Sequence, residues 1–174
     1  MSKIEALLQE LDQEAQTTRR VLEHVPGDQL AWKPHAKSMS LGQLSMHVAT
    51  VPGAIAEMSQ NSPFQIKSFA YPSATSAAEL LPALEQSVDK ARRVLRSMDD
   101  AALGNMWRAV DGDRDVFVLP VGAVLRTIML NHWYHHRGQL AVYLRQTGAL
   151  VPSIYGPSAD ENPFLATSRA AASV

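Results

Sequence analysis

Apolar positions recur at three- and four-residue steps over four stretches of the chain, the period of helices that bury one face. The first runs from Ile4 to about His24, with Ile4, Leu7, Leu8, Leu11, Ala15, Thr18 and Leu22 as its stripe. Ser2 with Glu5 three residues on forms a capping-box signal at its start, and Pro26-Gly27-Asp28 ends it. The second begins after Ser40, an N-cap matched by Gln43, and carries Leu41, Leu44, Val48, Val51 and Ile55. Pro52 lies inside it and predicts a kink or an irregular turn. The third covers about Ala77 to Met98. Leu80, Leu84, Val88, Ala91 and Leu95 point inward there, and Lys90, Arg92, Arg93 and Arg96 form a solvated side. Pro82 falls in its first turns, where proline is tolerated. The fourth runs from Val121 to Leu144 and ends near Gly148.

The connections are less regular. Leu30 to His35 is a polar-aromatic connector, with Trp32 packed on the bundle end. Asn61 to Ser76 is rich in Pro, Ser and Ala and reads as a loop, with Phe64, Phe69 and Tyr71 covering the bundle. Leu103 to Pro120 breaks the helical period around the turn signal Asp111-Gly112-Asp113. Its flanks, Met106 to Val110 and Val116 to Leu119, read as short extended arms or an irregular crossover. Alternating Asp111, Asp113 and Asp115 lack the later glycine and glutamate of a calcium loop. After Gly148 the chain is extended and turn-rich, with Ile154 and Tyr155 expected to pack, and Ala166 to Val174 to fray. With no internal repeat and no convincing strand run, the expected architecture is one all-α domain over residues 1–174. It is a four-helix bundle with long connections before the third and fourth helices, which permit a non-sequential order.

Composition narrows the chemistry. A net charge of −1 and no Lys/Arg-rich run argue against a nucleic-acid footprint. The absence of cysteine excludes disulfides, a protein thiol nucleophile and a Cys-ligated metal. The first residues lack the apolar run of a signal peptide, and no apolar stretch reaches membrane-spanning length. The expected setting is the cytoplasm, with neither membrane nor nucleic acid as partner.

The chemistry-bearing stretch is Asn131-His132-Trp133-Tyr134-His135-His136-Arg137-Gly138-Gln139-Leu140, which holds three of the six histidines. On a helix, His132 and His136 sit one turn apart on one face, where two imidazoles can bind one divalent cation at about 2.0–2.1 Å each. His135 points roughly 100° away from His136, so a third ligand has to come from elsewhere. His47 lies on the apolar stripe of the second helix. From spacing alone it is equally a third ligand or a core histidine bonded to a carbonyl. His35 follows Pro34 in a loop and is a weak candidate.

Three stretches together resemble the DinB superfamily, the DinB/YfiT-like metalloenzymes. They are Trp32-Lys33-Pro34-His35 with Ser40-Leu41-Gly42-Gln43-Leu44 and His47, the histidine-rich stretch running into Tyr143-Leu144-Arg145, and Val151-Pro152-Ser153-Ile154-Tyr155-Gly156-Pro157-Ser158-Ala159-Asp160-Glu161. The resemblance spans essentially the whole chain, with no matching motif between Asn61 and Pro120. It implies a four-helix bundle with a divalent metal, zinc or nickel before manganese or iron, held by His47, His132 and His136. It also implies a homodimer. DNA-damage induction of the first named member describes regulation and does not imply DNA binding.

A three-histidine site leaves a coordination place open, as catalytic zinc sites do. The expected function is therefore that of a divalent-metal-dependent enzyme. Because relatives in the wider superfamily use low-molecular-weight thiols, S-transfer to a small-molecule substrate ranks ahead of hydrolysis. The alternatives are a metal-containing binding or stress-response protein without turnover, and a bundle with vestigial histidines. Arg137 is read either as an anion contact or as a salt bridge at the helix surface or dimer interface. Gln43 and Gln139 orient ligands or cap and pack; Tyr134, Tyr155 and Trp133 line a pocket or the core. Glu57, Asp160 and Glu161 are the acids near the motifs, and no catalytic residue is assigned among them.

Overall fold

The structure is a computed structural model that describes residues 1–66 and 71–165. The first two helices start where the capping boxes predict. Helix α1 (Lys3–Leu22) opens on Ser2, whose Oγ accepts from the Glu5 amide while the Glu5 carboxylate accepts from the Ser2 amide. The Asp100 carboxylate takes two more free amides of that first turn, Lys3 and Ile4, at 2.9 and 3.0 Å. Helix α2 (Leu41–Ser59) opens on the same reciprocal pair between Ser40 and Gln43. Helix α3 (Leu80–Arg96) buries all five residues of its predicted stripe. Its basic side is a solvated face tied to its neighbours by Arg92–Asp12 (2.7 Å) and Lys90–Glu57 (2.9 Å). No helix among the described residues is long and apolar enough to cross a membrane.

Two findings correct the expected all-α bundle. The first is a small three-stranded sheet. Strand β2 (Met106–Asp111) and strand β3 (Arg114–Pro120) form a hairpin around Gly112 (φ +60°), and β1 (Phe64–Gln65) pairs in parallel with β2, Phe64 facing Ala109. Strands β2 and β3 fall on the flanks read as short extended arms around Asp111-Gly112-Asp113, whereas β1, two residues long and far from β2 in sequence, shows no period. The sheet covers the side of α2 that carries Met58, where Trp107 Nε1 donates to the Met58 and Asn61 carbonyls. The protein is therefore mostly helical with a small sheet. Phe69 and the last residues, 166–174, lie outside the described residues.

The second concerns the last helical run. It starts as α4 (Val121–Ala123), continues as a π-helical stretch (Val124–Asn131) and ends as α5 (His132–Gln146) without a break. In a π-helix residues five apart stack on one face. The buried pairs Val124/Met129 and Leu125/Leu130 have that spacing. The longer turn resets the phase of α5. Trp133, Arg137, Leu140 and Leu144 point inward, and half-buried His132 and His136 flank that stripe.

Pro52 does not break α2; the neighbouring helices make up for it. Having no N–H, it leaves the Val48 carbonyl without its usual intrahelical donor. Trp133 Nε1, fully buried, donates to that carbonyl at 2.8 Å. At the very next residue the Gly53 amide donates to Ser87 Oγ on α3 at 2.8 Å, and Ser87 Oγ donates to the Thr50 carbonyl at 2.9 Å. Only glycine permits this approach, since a Cβ at position 53 would stand 2.6 Å from the Ser87 carbonyl oxygen.

This arrangement predicts a measurable coupling. Trp133→Phe orphans a buried carbonyl and loses aromatic volume, so it should destabilise the protein by about 2–4 kcal/mol in urea unfolding. In a Pro52→Ala background the restored amide reaches Val48, and the same change should cost about 1 kcal/mol less.

Candidate metal centre

His47 leaves α2 one turn before Pro52 and meets His132 and His136 from α5. The His47 and His132 Nε2 atoms are 3.1 Å apart. Ring centroids lie 5.3 Å apart for His47 and His132, 4.5 Å for His47 and His136, and 4.3 Å for His132 and His136. One nitrogen from each ring falls within 4.8 Å of the other two, the one such cluster among the described residues. Two nitrogens bound to a single tetrahedral ion at about 2.0–2.1 Å stand roughly 3.3 Å apart, so the closest pair already has the needed spacing. The donor set is all imidazole, which suits zinc, nickel, iron or copper.

The surroundings favour the neutral, ligating form of each ring. Burial lowers the pKa of His47 to about 4, with the neighbouring His136 and His132 adding to the shift. Burial also lowers the pKa of His132, again helped by His136 and His135. His136 shifts down for the same main reason, opposed by its hydrogen bond to Gln139. That bond joins His136 Nδ1 and Gln139 Oε1 at 2.7 Å. Here Nδ1 carries the proton, so Nε2 is left for a ligand.

The other candidates are placed elsewhere. His135 is exposed and outside the cluster. The His35 Nδ1 accepts from the Lys37 amide, and Gln43 is spent on its capping box. Trp133 is core, and Tyr134 donates to Glu10 at 2.8 Å. Among the acids, Glu57 pairs with Lys90, Asp160 with Arg145 and Glu161 with Arg20.

Arg137 is neither an anion contact nor a surface bridge. It is 1 % exposed and donates to the Glu14 carboxylate at 2.6 Å. Its other nitrogen reaches the Glu14 carbonyl at 3.2 Å and Thr18 Oγ1 at 3.1 Å. The guanidinium lies between the Tyr134 and Tyr155 rings, and the Tyr155 hydroxyl completes the network with Arg137 and Glu14. The polar residues Glu14 and Thr18 on the buried face of α1 were the available signal.

The cavity beside the cluster leaves no local mark in the sequence. About 250 Å³ in volume, it opens beside His47 and His132 and is walled by Ile55, Met58, Phe64, Trp107, Phe117 and Ile128. Most of the sheet side comes from stretches that show no chemistry in sequence. Tyr71 edges against His47 at the rim, with ring centroids 5.6 Å apart.

Two outcomes are expected. In the unfolded chain a histidine titrates near 6.5, whereas His47 resists protonation until about pH 4. The unfolded state therefore binds more protons between these values, and stability falls as the pH drops through that window. Chelated wild type should lose more stability from pH 7 to pH 4.5 than His47→Gln, by about 1–2 kcal/mol after allowing for partial exposure. Separately, Glu14→Gln should destabilise the protein by about 3 kcal/mol or more in urea unfolding, because it strands the buried Arg137 charge.

Comparison with known proteins agrees with this architecture. The YrdA protein of Bacillus subtilis (strain 168) is 28% identical over 149 residues, 85% of each chain. A DinB-like protein from Bacillus cereus ATCC 10987, known from its crystal structure, superposes with a TM-score of 0.69 at 27% identity, covering 89% of this chain and 100% of that one. A DinB family protein from Exiguobacterium sibiricum 255-15 shares the fold at a TM-score of 0.61 and 21% identity, over 92% of this chain and 98% of its own. Residues 1–163 match the sequence profile of the DinB family, and the chain belongs to that family.

Proposed function

We propose that the chain is a divalent-metal-dependent enzyme whose ion is held by His47, His132 and His136, with zinc or nickel the first metals to consider and manganese or iron next. The observation that carries this reading is the convergence of three imidazole nitrogens, two of them from rings that line an apolar cavity, with no fourth protein ligand in the cluster among the described residues. A divalent cation there supplies Lewis acidity and lowers the pKa of a thiol or water beside it. The chain's own residues do the rest. Gln139 orients His136, the Trp133–Val48 hydrogen bond fixes α2 against α5, and the apolar walls keep water from the reacting group.

Thiol S-transfer fits this site better than hydrolysis. Hydrolysis recruits a base for the proton of water, and no carboxylate of the described residues lines the cavity. A thiol is the more acidic nucleophile (cysteine about 8.5) and has less need of a base. Because the chain has no cysteine, the sulfur would come from a low-molecular-weight thiol as cosubstrate. A homodimer in the cytoplasm is the expected working form.

The test is elemental analysis of untagged protein before and after chelation, followed by thiol turnover with model electrophiles. About one ion per chain is expected. His47→Ala, His132→Ala and His136→Ala should each lower affinity at least about 100-fold, and Gln139→Leu about 10–100-fold. His135→Ala should leave affinity unchanged. Equal metal retention in all the histidine variants would overturn the ligand set. One bound ion without thiol-dependent turnover would favour a non-catalytic metal protein.

A further inference from the structure

The cavity beside the histidines has a chemical character of its own. Apart from His47, His132 and Tyr71, its lining residues are apolar or aromatic. The one other polar group on those walls, Trp107 Nε1, is already spent on the Met58 and Asn61 carbonyls at 3.1 and 2.8 Å. Among the described residues, none that lines the cavity carries a carboxylate, an ammonium or a guanidinium. A charged ligand group in this space would lose its hydration with no charged partner among the described lining residues to replace it, which is costly for an ion. An apolar group loses nothing and gains contact with Phe64, Trp107 and Phe117, of which the first two stack with ring centroids 6.0 Å apart.

Size narrows the ligand further. A cavity of about 150 Å³ with comparable walls takes up benzene. One of about 250 Å³ accommodates a ring with a short alkyl substituent. His47 and His132, with Tyr71 against His47, set the orientation, because among the described lining residues only they offer side-chain polar groups to a polar, electron-rich or reactive group.

We propose that this cavity binds the apolar body of the substrate. The substrate is a neutral molecule with a single aromatic ring or a branched alkyl group of similar bulk, whose one polar group lies at the histidine end. This selectivity rests on the proposed reading of the histidines as the reactive end of the site, whereas the cavity's preference for neutral apolar matter stands on its walls alone.

The test uses chelated, 15N-labelled protein and two probes that share a ring, ethylbenzene and phenylacetate. Ethylbenzene should shift the Trp107 indole N–H resonance saturably and bind at least tenfold tighter than phenylacetate. Ala109→Phe and Ile128→Phe, which fill the cavity from the sheet side and the helix side, should each weaken ethylbenzene at least tenfold while keeping cooperative unfolding. Two variants are used so that one failing to fold does not decide the question. No saturable shift at Trp107, equal binding of the two probes, or unimpaired ethylbenzene binding in a folded cavity-filled variant would each overturn the proposal. Ethylbenzene binding in a protein that takes up no metal would support the cavity assignment and remove the metal reading. Metal uptake without ethylbenzene binding would do the reverse.

Discussion

The docking of α2 against α5 is the constraint on which the rest depends, and it hangs on one proline. Pro52 withholds an amide from the Val48 carbonyl, and a buried carbonyl without a donor is costly. The donor comes from Trp133. Val48 follows His47, and Trp133 follows His132, so the bond that satisfies the proline defect also sets the distance between two of the three histidines. Ser87 does the corresponding work at the residue after Pro52 and draws α3 in against Gly53. A feature that reads locally as a helix breaker becomes the point where three helices are fastened together.

The buried face of α5 is divided between two kinds of polar chemistry. Half-buried His132 and His136 meet His47 in the histidine cluster, and His132 lines the cavity. Arg137, one residue on, points into the core toward α1, where Glu14, Thr18 and the hydroxyl of Tyr155 use its donors. An isolated guanidinium could not stay there. The tail is held by the same logic. Its Asp160 carboxylate accepts from the Val151 amide and Arg145, and its Glu161 carboxylate accepts from the Ser153 amide and pairs with Arg20. The acids that the motif places near the histidines in sequence are committed to closing the tail.

The cavity is made by packing a small sheet against the helical body. Phe64 from β1, Trp107 and Ala109 from β2 and Phe117 from β3 supply one side; Ile55, Met58 and Ile128 supply the other. Neither side encloses a space alone. Two of the three clustered imidazoles, His47 and His132, line this apolar space.

The helices, their caps and the metal-ligand candidates were set by the sequence itself. Ser2/Glu5 and Ser40/Gln43 act within four residues, and the stripe of α3 follows from a 3.6-residue period that needs no partner to be visible. The spacing of His132 and His136 is likewise a local property of a helix. Tertiary structure decided what depends on distant partners. It chose His47 as a member of the cluster over a carbonyl-bonded core histidine, buried Arg137, paired Phe64 with Ala109 across 45 residues of chain, and committed Asp160 and Glu161 to the tail. The π-helical turn lies between the two cases. Its five-residue apolar spacing is written in the sequence, but only packing against the core shows which of two overlapping periods the chain obeys.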